Sequence, residues 1–256
     1  MPAPVEEFVR ALAEARGAAL LALDFDGTLA EVVDDPAAAA PAPGVTEVVS
    51  QAATRWGAVA IVSGRPLAFL DGRFPDPAVT LVGLYGLEVR RDGRRDDHPA
   101  AATWRSAVDR AVELARSTLP EEVGVEPKGA SLTLHYRTCP SRAGEVGRVA
   151  ADLSDRTGLV ARGARMSVEL HPPVHVDKGT VVSELAAGLT GPVCFVGDDL
   201  GDVPALAALE RLRAAGRPTL AVAVVGPETP VELRAGADVE VAGPAAVVEL
   251  LARLDA

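Results

Sequence analysis

Two stretches of the sequence place carboxylates side by side directly after an apolar run. "ALLALDFDGTL" carries Asp24 and Asp26, and "PVCFVGDDLGD" carries Asp198, Asp199 and Asp202. Nearly continuous hydrophobicity over a few residues is the pattern of a buried parallel strand, so these acids fall at strand ends. Residues i and i+2 of a strand share a face, which starts Asp24 and Asp26 in the same direction and turns Phe25 inward. Gly27 lets the chain leave sharply. If the two strands are neighbours, up to five carboxylates converge. Like charges ~4 Å apart repel by roughly 4 kcal/mol at an effective dielectric of about 20, a large cost against a net stability of about 5–15 kcal/mol. A divalent cation removes the conflict. An all-oxygen set suits Mg²⁺, whose shell is completed by water and by phosphate oxygens.

A carboxylate to spare beside Mg²⁺ points to phosphoryl chemistry, and other segments agree. "AIVSGRP" offers the Ser63 hydroxyl, close backbone approach at Gly64, and the Arg65 guanidinium for anion or hydroxyl contacts. "VDKGTVVSEL" opens a helical pattern at Lys178, whose ammonium could meet a phosphoryl oxygen and hold a nucleophilic carboxylate. Lysine occurs at only two places among 25 basic residues, Lys128 and Lys178. A chain that otherwise writes positive charge as arginine invites the reading that a compact ammonium is needed at both.

The elements that must position these groups follow from the same patterns. Five short apolar segments, "ALLALDFD", "WGAVAIVSG", "VTLVGLYG", "PVCFVGDD" and "TLAVAVVG", alternate with helical periodicity. That alternation predicts an α/β fold, a doubly wound Rossmann-like parallel sheet with ligands at the carboxyl ends of its strands. The middle of the chain breaks the rhythm after the polar, turn-rich "RRDGRRDDHP" and reads α-β-β-α-β-β. This is an inserted α+β unit over residues 98–172, with the core formed by 1–97 and 173–256. Within it Glu126 and Lys128 share a strand face, Arg137 follows the next strand, and Ser167 and Glu169 stand at i and i+2. Such a set suits a hydroxyl-rich ligand, or else the outward polar face of a half-exposed sheet. His135 lies on one of these strands. Asp34 and Asp35, ahead of Pro36, read as solvated loop acids.

"DFDGTL", "VSGR", the lysine of "DKG" and "GDDLGD", in that order, resemble the four motifs of the haloacid dehalogenase-like (HAD) phosphatases. The resemblance implies a covalent route in which Asp24 attacks phosphorus and forms an aspartyl phosphate. In the same implied route Asp26 protonates the sugar oxygen as it leaves in that step and afterwards takes a proton from the hydrolytic water. It further implies Mg²⁺ held by Asp24, Asp198 and the backbone carbonyl of Asp26, with Thr28, Asp199 and Asp202 supporting, and an inserted unit that closes as a cap. "GLYGLE", "VEPKGASLTLHYR" and "VELHPPVHVDKG" are similar, more narrowly, to trehalose-6-phosphate phosphatases across nearly the whole chain. In that family a Glu-x-Lys pair, a downstream arginine and a further glutamate bind the distal glucose, matching Glu126, Lys128, Arg137 and Glu169. Tyr85 departs from the histidine found in many relatives, and Glu88 reads as structural. The implied activity is hydrolysis of trehalose 6-phosphate. Sucrose phosphate or a mannosyl phosphoglycerate is the alternative substrate, and a catalytically silent sugar-phosphate-binding module is the alternative outside catalysis.

Composition excludes other classes. The formal net charge is −11 with the acids scattered, so no basic surface is offered to nucleic acid or anionic lipid. No apolar stretch approaches the ~20 residues of a membrane span. The acidic N-terminus reads as a short amphipathic helix without the basic start of a signal peptide. Cys139 and Cys194 lie far apart and show no metal spacing, which favours a reducing compartment. A cytoplasmic monomer acting on a small-molecule sugar phosphate is the expectation.

Overall fold

The computed structural model describes residues 3–33, 35–164, 166–227 and 229–255, so Asp34 lies outside the described residues. The chain divides into two compact units, Met1–Asp96 with Val176–Ala256, and Asp97–His175.

In the first unit the strands before the insertion are β1 (Leu20–Leu23), β2 (Ala58–Val62), β3 (Val79–Gly83), β4 (Glu88–Arg91) and β5 (Arg94–Arg95). After the insertion come β10 (Val193–Gly197), β11 (Thr219–Val224) and β12 (Val239–Val241). They form one sheet in the order β12-β11-β10-β1-β2-β3-β4-β5. Pairing is parallel from β12 to β3 and antiparallel onward. The central strands β1, β2, β3, β10 and β11 are almost wholly apolar because both their faces are covered. Leu21, Leu23, Ile61 and Val196 point into one core with Phe8 and Leu12 of α1 (Ala3–Ala15), α2 (Val45–Ala53) and α9 (Gly243–Leu254). The alternate residues Leu20, Ala22, Val62 and Phe195 enter a second core with α6 (Lys178–Ala187) and α7 (Val203–Ala214). Each fully buried Leu or Phe contributes about 1.5–3 kcal/mol. Two short helices, α3 (Leu67–Asp71) and α8 (Val231–Gly236), complete the unit.

Two features depart from the sequence reading. The stretch beginning at Arg90 is not only turn but the hairpin β4–β5, closed at Asp92 (φ 50°) and Gly93 (φ 70°), a left-handed pair suited to a two-residue hairpin turn. Its residues are nearly all charged, so no hydrophobic period marks it. β12 is a three-residue edge strand, too short to show a period either.

In the second unit α4 (Pro99–Thr118), β6 (Gly124–Pro127), β7 (Leu132–His135), α5 (Ala143–Thr157), β8 (Val160–Ala164) and β9 (Ser167–His171) follow the α-β-β-α-β-β order. The antiparallel sheet runs β6-β7-β9-β8. Leu132, Leu134 and Leu170 share a core with Val108 and Val112 of α4 and Val146 and Leu153 of α5. The alternate residues lie on the opposite sheet face. Lys128 stands just beyond the end of β6 rather than on it, and Arg137 sits in an exposed turn after β7. Ser167 and Glu169 are buried, not half-exposed.

Candidate active site

β1 lies between β10 and β2, so Asp24, Asp198 and the Ser63–Gly64–Arg65 segment leave neighbouring strands at the same sheet edge. The backbone N–H of Asp24 still donates to the carbonyl of Val196 at 2.9 Å, which ties the first acidic loop to the second strand. Gly27 (φ 78°) is required twice over. Its φ is left-handed, and a Cβ there would lie 2.0 Å from Asp198 Oδ2.

Lys178 opens α6 behind the helix cap Asp177 and is only 3% exposed, not solvated. Its Nζ donates at 2.6 Å to Asp24 Oδ1 and at 2.6 Å to Asp202 Oδ1. The other Asp202 oxygen, Oδ2, accepts the backbone N–H groups of Asp198 at 2.8 Å and Asp199 at 3.0 Å. Asp202 is thus fully committed, and Gly197 leaves it room, since a Cβ there would sit 2.3 Å from its Cγ. Asp198 Oδ1 accepts from the buried Thr28 hydroxyl at 3.4 Å.

Of the up to five acids that the strand ends could bring together, three converge among the described residues. Carboxylate oxygens of Asp24, Asp198 and Asp202 lie within 4.8 Å of one another. Asp199 is exposed and caps the turn that follows, accepting from Gly201 N at 2.8 Å. Asp26 separates from Asp24 because β1 ends at Leu23 and the chain turns at Gly27. Both its oxygens are taken by the Arg65 fork, Oδ2 from Nε at 2.7 Å and Oδ1 from Nη2 at 2.6 Å. Arg65, expected to contact an anion or hydroxyl, is engaged with Asp26, donates to the Pro36 carbonyl at 2.6 Å, and stacks 4.4 Å from the Phe69 ring centroid. Its own N–H donates to Ser63 Oγ at 3.1 Å.

Burial raises Asp24 well above the usual carboxylate range. The Lys178 ammonium opposes that rise, while Asp202, Asp198 and Asp199 add to it. Burial likewise lifts Asp198 to about 7, aided by Asp202 and Asp199. Burial pulls Lys178 down, but Asp202, Asp24 and Asp199 outweigh it and hold the ammonium charged well above its ordinary range. Once Lys178 has claimed Asp24 Oδ1 and, with the backbone, both oxygens of Asp202, Asp24 Oδ2 and the Asp198 carboxylate remain. These hard donors, raised by mutual repulsion and burial, fit a divalent cation such as Mg²⁺.

Comparison with known proteins completes this picture. Residues 22–233 match a family model described as trehalose-phosphatase. The chain belongs to the trehalose-phosphatase family. It is 35% identical over 196 residues to a trehalose-phosphate phosphatase of Mycobacterium ulcerans, an alignment covering 73% of this chain and 50% of that protein. The chain therefore spans about half the length of the curated relatives it matches. In fold it is similar to the C-terminal domain of trehalose-6-phosphate phosphatase from C. albicans, with TM-score 0.76 and 23% identity over 98% of this chain and 96% of that one. It also resembles a haloacid dehalogenase-like hydrolase from Bacteroides thetaiotaomicron, with TM-score 0.64 and 17% identity over 92% of this chain and 98% of that one. Like those folds, this trehalose-phosphatase family chain carries a mostly parallel sheet with helices.

Other residues of this trehalose-phosphatase family member sort as follows. Tyr85 and Leu84 both have left-handed backbone (φ 58° and 48°), and the Tyr85 phenol lies against Gly64, where a Cβ would approach it to 2.7 Å. Glu88 is buried between Leu67 N at 2.8 Å and Arg95 at 2.9 Å, in keeping with a structural role. In the second unit Glu126 Oε2 lies 2.7 Å from His135 Nε2 and 3.8 Å from Lys128 Nζ. Glu169 Oε1 accepts from Ser131 Oγ at 3.0 Å. Ser131 escaped the sequence reading, and its place two residues before Thr133 on the polar period of "SLTLH" is the signal that could have found it.

Proposed function

We propose that this chain hydrolyses trehalose 6-phosphate to trehalose and phosphate with Mg²⁺, through an aspartyl phosphate on Asp24. The observation that carries the reading is the shared ammonium of Lys178, which keeps Asp24 Oδ1 paired in a buried site beside Asp198. A carboxylate must be ionised to attack phosphorus; burial raises Asp24, Lys178 opposes that rise in part, and a bound cation would oppose it further. Asp24, Asp198 and the main-chain carbonyl of Asp26 are the donors that would hold Mg²⁺, whose chemistry is charge neutralisation at the phosphoryl oxygens. Asp26 is the general acid and base. The Arg65 fork on both Asp26 oxygens supports a role for Arg65 in positioning the acid beside its role as a substrate contact. Ser63, Gly64 and Lys178 receive the phosphoryl group, and Thr28, Asp199 and Asp202 hold the acidic loops in place. The second unit is the specificity cap, with Glu126, Lys128, Arg137, Ser167 and Glu169 facing the sugar hydroxyls. We extend the same reading to a cytoplasmic monomer.

Phosphate release from trehalose 6-phosphate with Mg²⁺, measured beside sucrose phosphate and a mannosyl phosphoglycerate, tests this. The expected outcome is turnover fastest on trehalose 6-phosphate and reduced to background in Asp24→Asn. An inert parent chain, or an active Asp24→Asn variant, overturns it.

A further inference from the structure

The register of the second sheet sets Glu126 opposite Thr133 and Thr133 opposite Glu169. Thr133 alternates with Leu132 and Leu134, which belong to the core with α4 and α5, so its side chain shares the other face with the two carboxylates. Thr133 is 3% exposed, and its Oγ1 has no hydrogen-bond partner among the described residues. Acceptors stand on both sides of it, yet neither pairs with its hydroxyl. Glu126 Oε2 takes His135 and Lys128, and Glu169 Oε1 takes Ser131. A buried hydroxyl left unpaired is destabilising, and valine would fill the same volume without that cost. Threonine here is therefore unexplained by packing.

We propose that the Thr133 hydroxyl is a ligand contact, exchanging a hydrogen bond with a hydroxyl of a polyhydroxylated phosphate ester bound along the Glu126–Thr133–Glu169 row. A carboxylate can only accept, whereas a threonine hydroxyl both donates and accepts. The row so built pairs a sugar O–H at each carboxylate and leaves Thr133 free to satisfy a sugar oxygen that needs a donor. A site made to bond a ligand hydroxyl discriminates strongly against analogues lacking it, so Thr133 is a specificity-determining residue. The inference rests on the reading of this chain as a sugar phosphatase.

The test uses the full chain with Mg²⁺ and compares Thr133→Val and Thr133→Ser with the parent. Substrates are trehalose 6-phosphate, sucrose 6-phosphate and glucose 6-phosphate, with p-nitrophenyl phosphate as an ester that has no sugar hydroxyls. On whichever sugar ester the parent uses best, Thr133→Val is expected to raise KM roughly 3- to 10-fold. Its turnover of p-nitrophenyl phosphate stays unchanged, its Tm is equal to or above the parent's, and Thr133→Ser keeps the parent's KM. A rise in KM together with an unchanged or higher Tm is a combination that a structural role would not produce. The proposal is overturned if Thr133→Val leaves KM unchanged, or if Tm and both activities fall together. Should another sugar phosphate be used and trehalose 6-phosphate not, the substrate reading fails while Thr133 is still judged on the ester that turns over. Should no sugar phosphate turn over, both fail.

Discussion

Lys178 is one buried cation serving two buried carboxylates, and replacing it with methionine removes the charge while keeping most of the apolar stem. Its two 2.6 Å contacts, to Asp24 and Asp202, are both lost. Removing one partner of a buried ion pair costs about 3–5 kcal/mol, because the charge left behind has no compensation. Two carboxylates are stranded here, which places Lys178→Met in the upper part of that range, at about 4–5 kcal/mol. At ~2–4 °C per kcal/mol for a unit of this size, the melting temperature should fall by roughly 8–20 °C. The pH dependence has a definite sign. Burial already raises Asp24 and Asp202, and Lys178 is the main group opposing it. Without the ammonium both rise further. A carboxyl group whose folded-state pKa lies above its unfolded value stabilises the fold while protonated and loses that contribution as pH rises, so the deficit should be largest near about pH 8 and shrink toward about pH 5. Circular-dichroism melts at both pH values, without Mg²⁺, read this directly. The double variant Lys178→Met with Asp202→Asn should recover part of the loss. A deficit under about 1 kcal/mol, or one that does not change with pH, refutes the electrostatic argument.

On the proposed reading Mg²⁺ should raise the parent's Tm, and Gly27→Ala should abolish that rise, because its Cβ would occupy the space 2.0 Å from Asp198 Oδ2 in a left-handed backbone; calorimetric titration with Mg²⁺ checks the same point. Arg65→Lys keeps the charge but cannot reproduce the two-pronged contact with Asp26. Its kcat on the preferred ester should fall about 10- to 100-fold, in line with misplaced general acid–base catalysis, while the fold is retained by circular dichroism. Phosphate release in Asp24→Asn and the KM of Thr133→Val complete the set.

Much of this protein is legible along the chain itself. Short apolar runs ending in acids are visible without coordinates because parallel strands buried on both faces tolerate few polar residues before their ends, and β1 and β10 follow that rule. The inserted α-β-β-α-β-β unit is legible for a related reason, since its Leu132, Thr133, Leu134 alternation announces a sheet with one apolar face. The hairpin β4–β5 left no such trace, being charged at almost every position. Sequence likewise determined which groups stand at the strand ends, but direction and partnership were decided by the fold. Asp24 and Asp26, one residue apart, diverge to different cations, Lys178 and Arg65. Asp202, expected only to support the site, anchors the backbone of Asp198 and Asp199 and holds Lys178. The reason is physical: spacing along a chain determines which residues can be near, whereas charge pairing and burial depend on groups as far apart in sequence as Lys178 and Asp24. The unpaired Thr133 hydroxyl belongs to the same category, since only the packed sheet shows that it is buried and that its neighbours bond elsewhere.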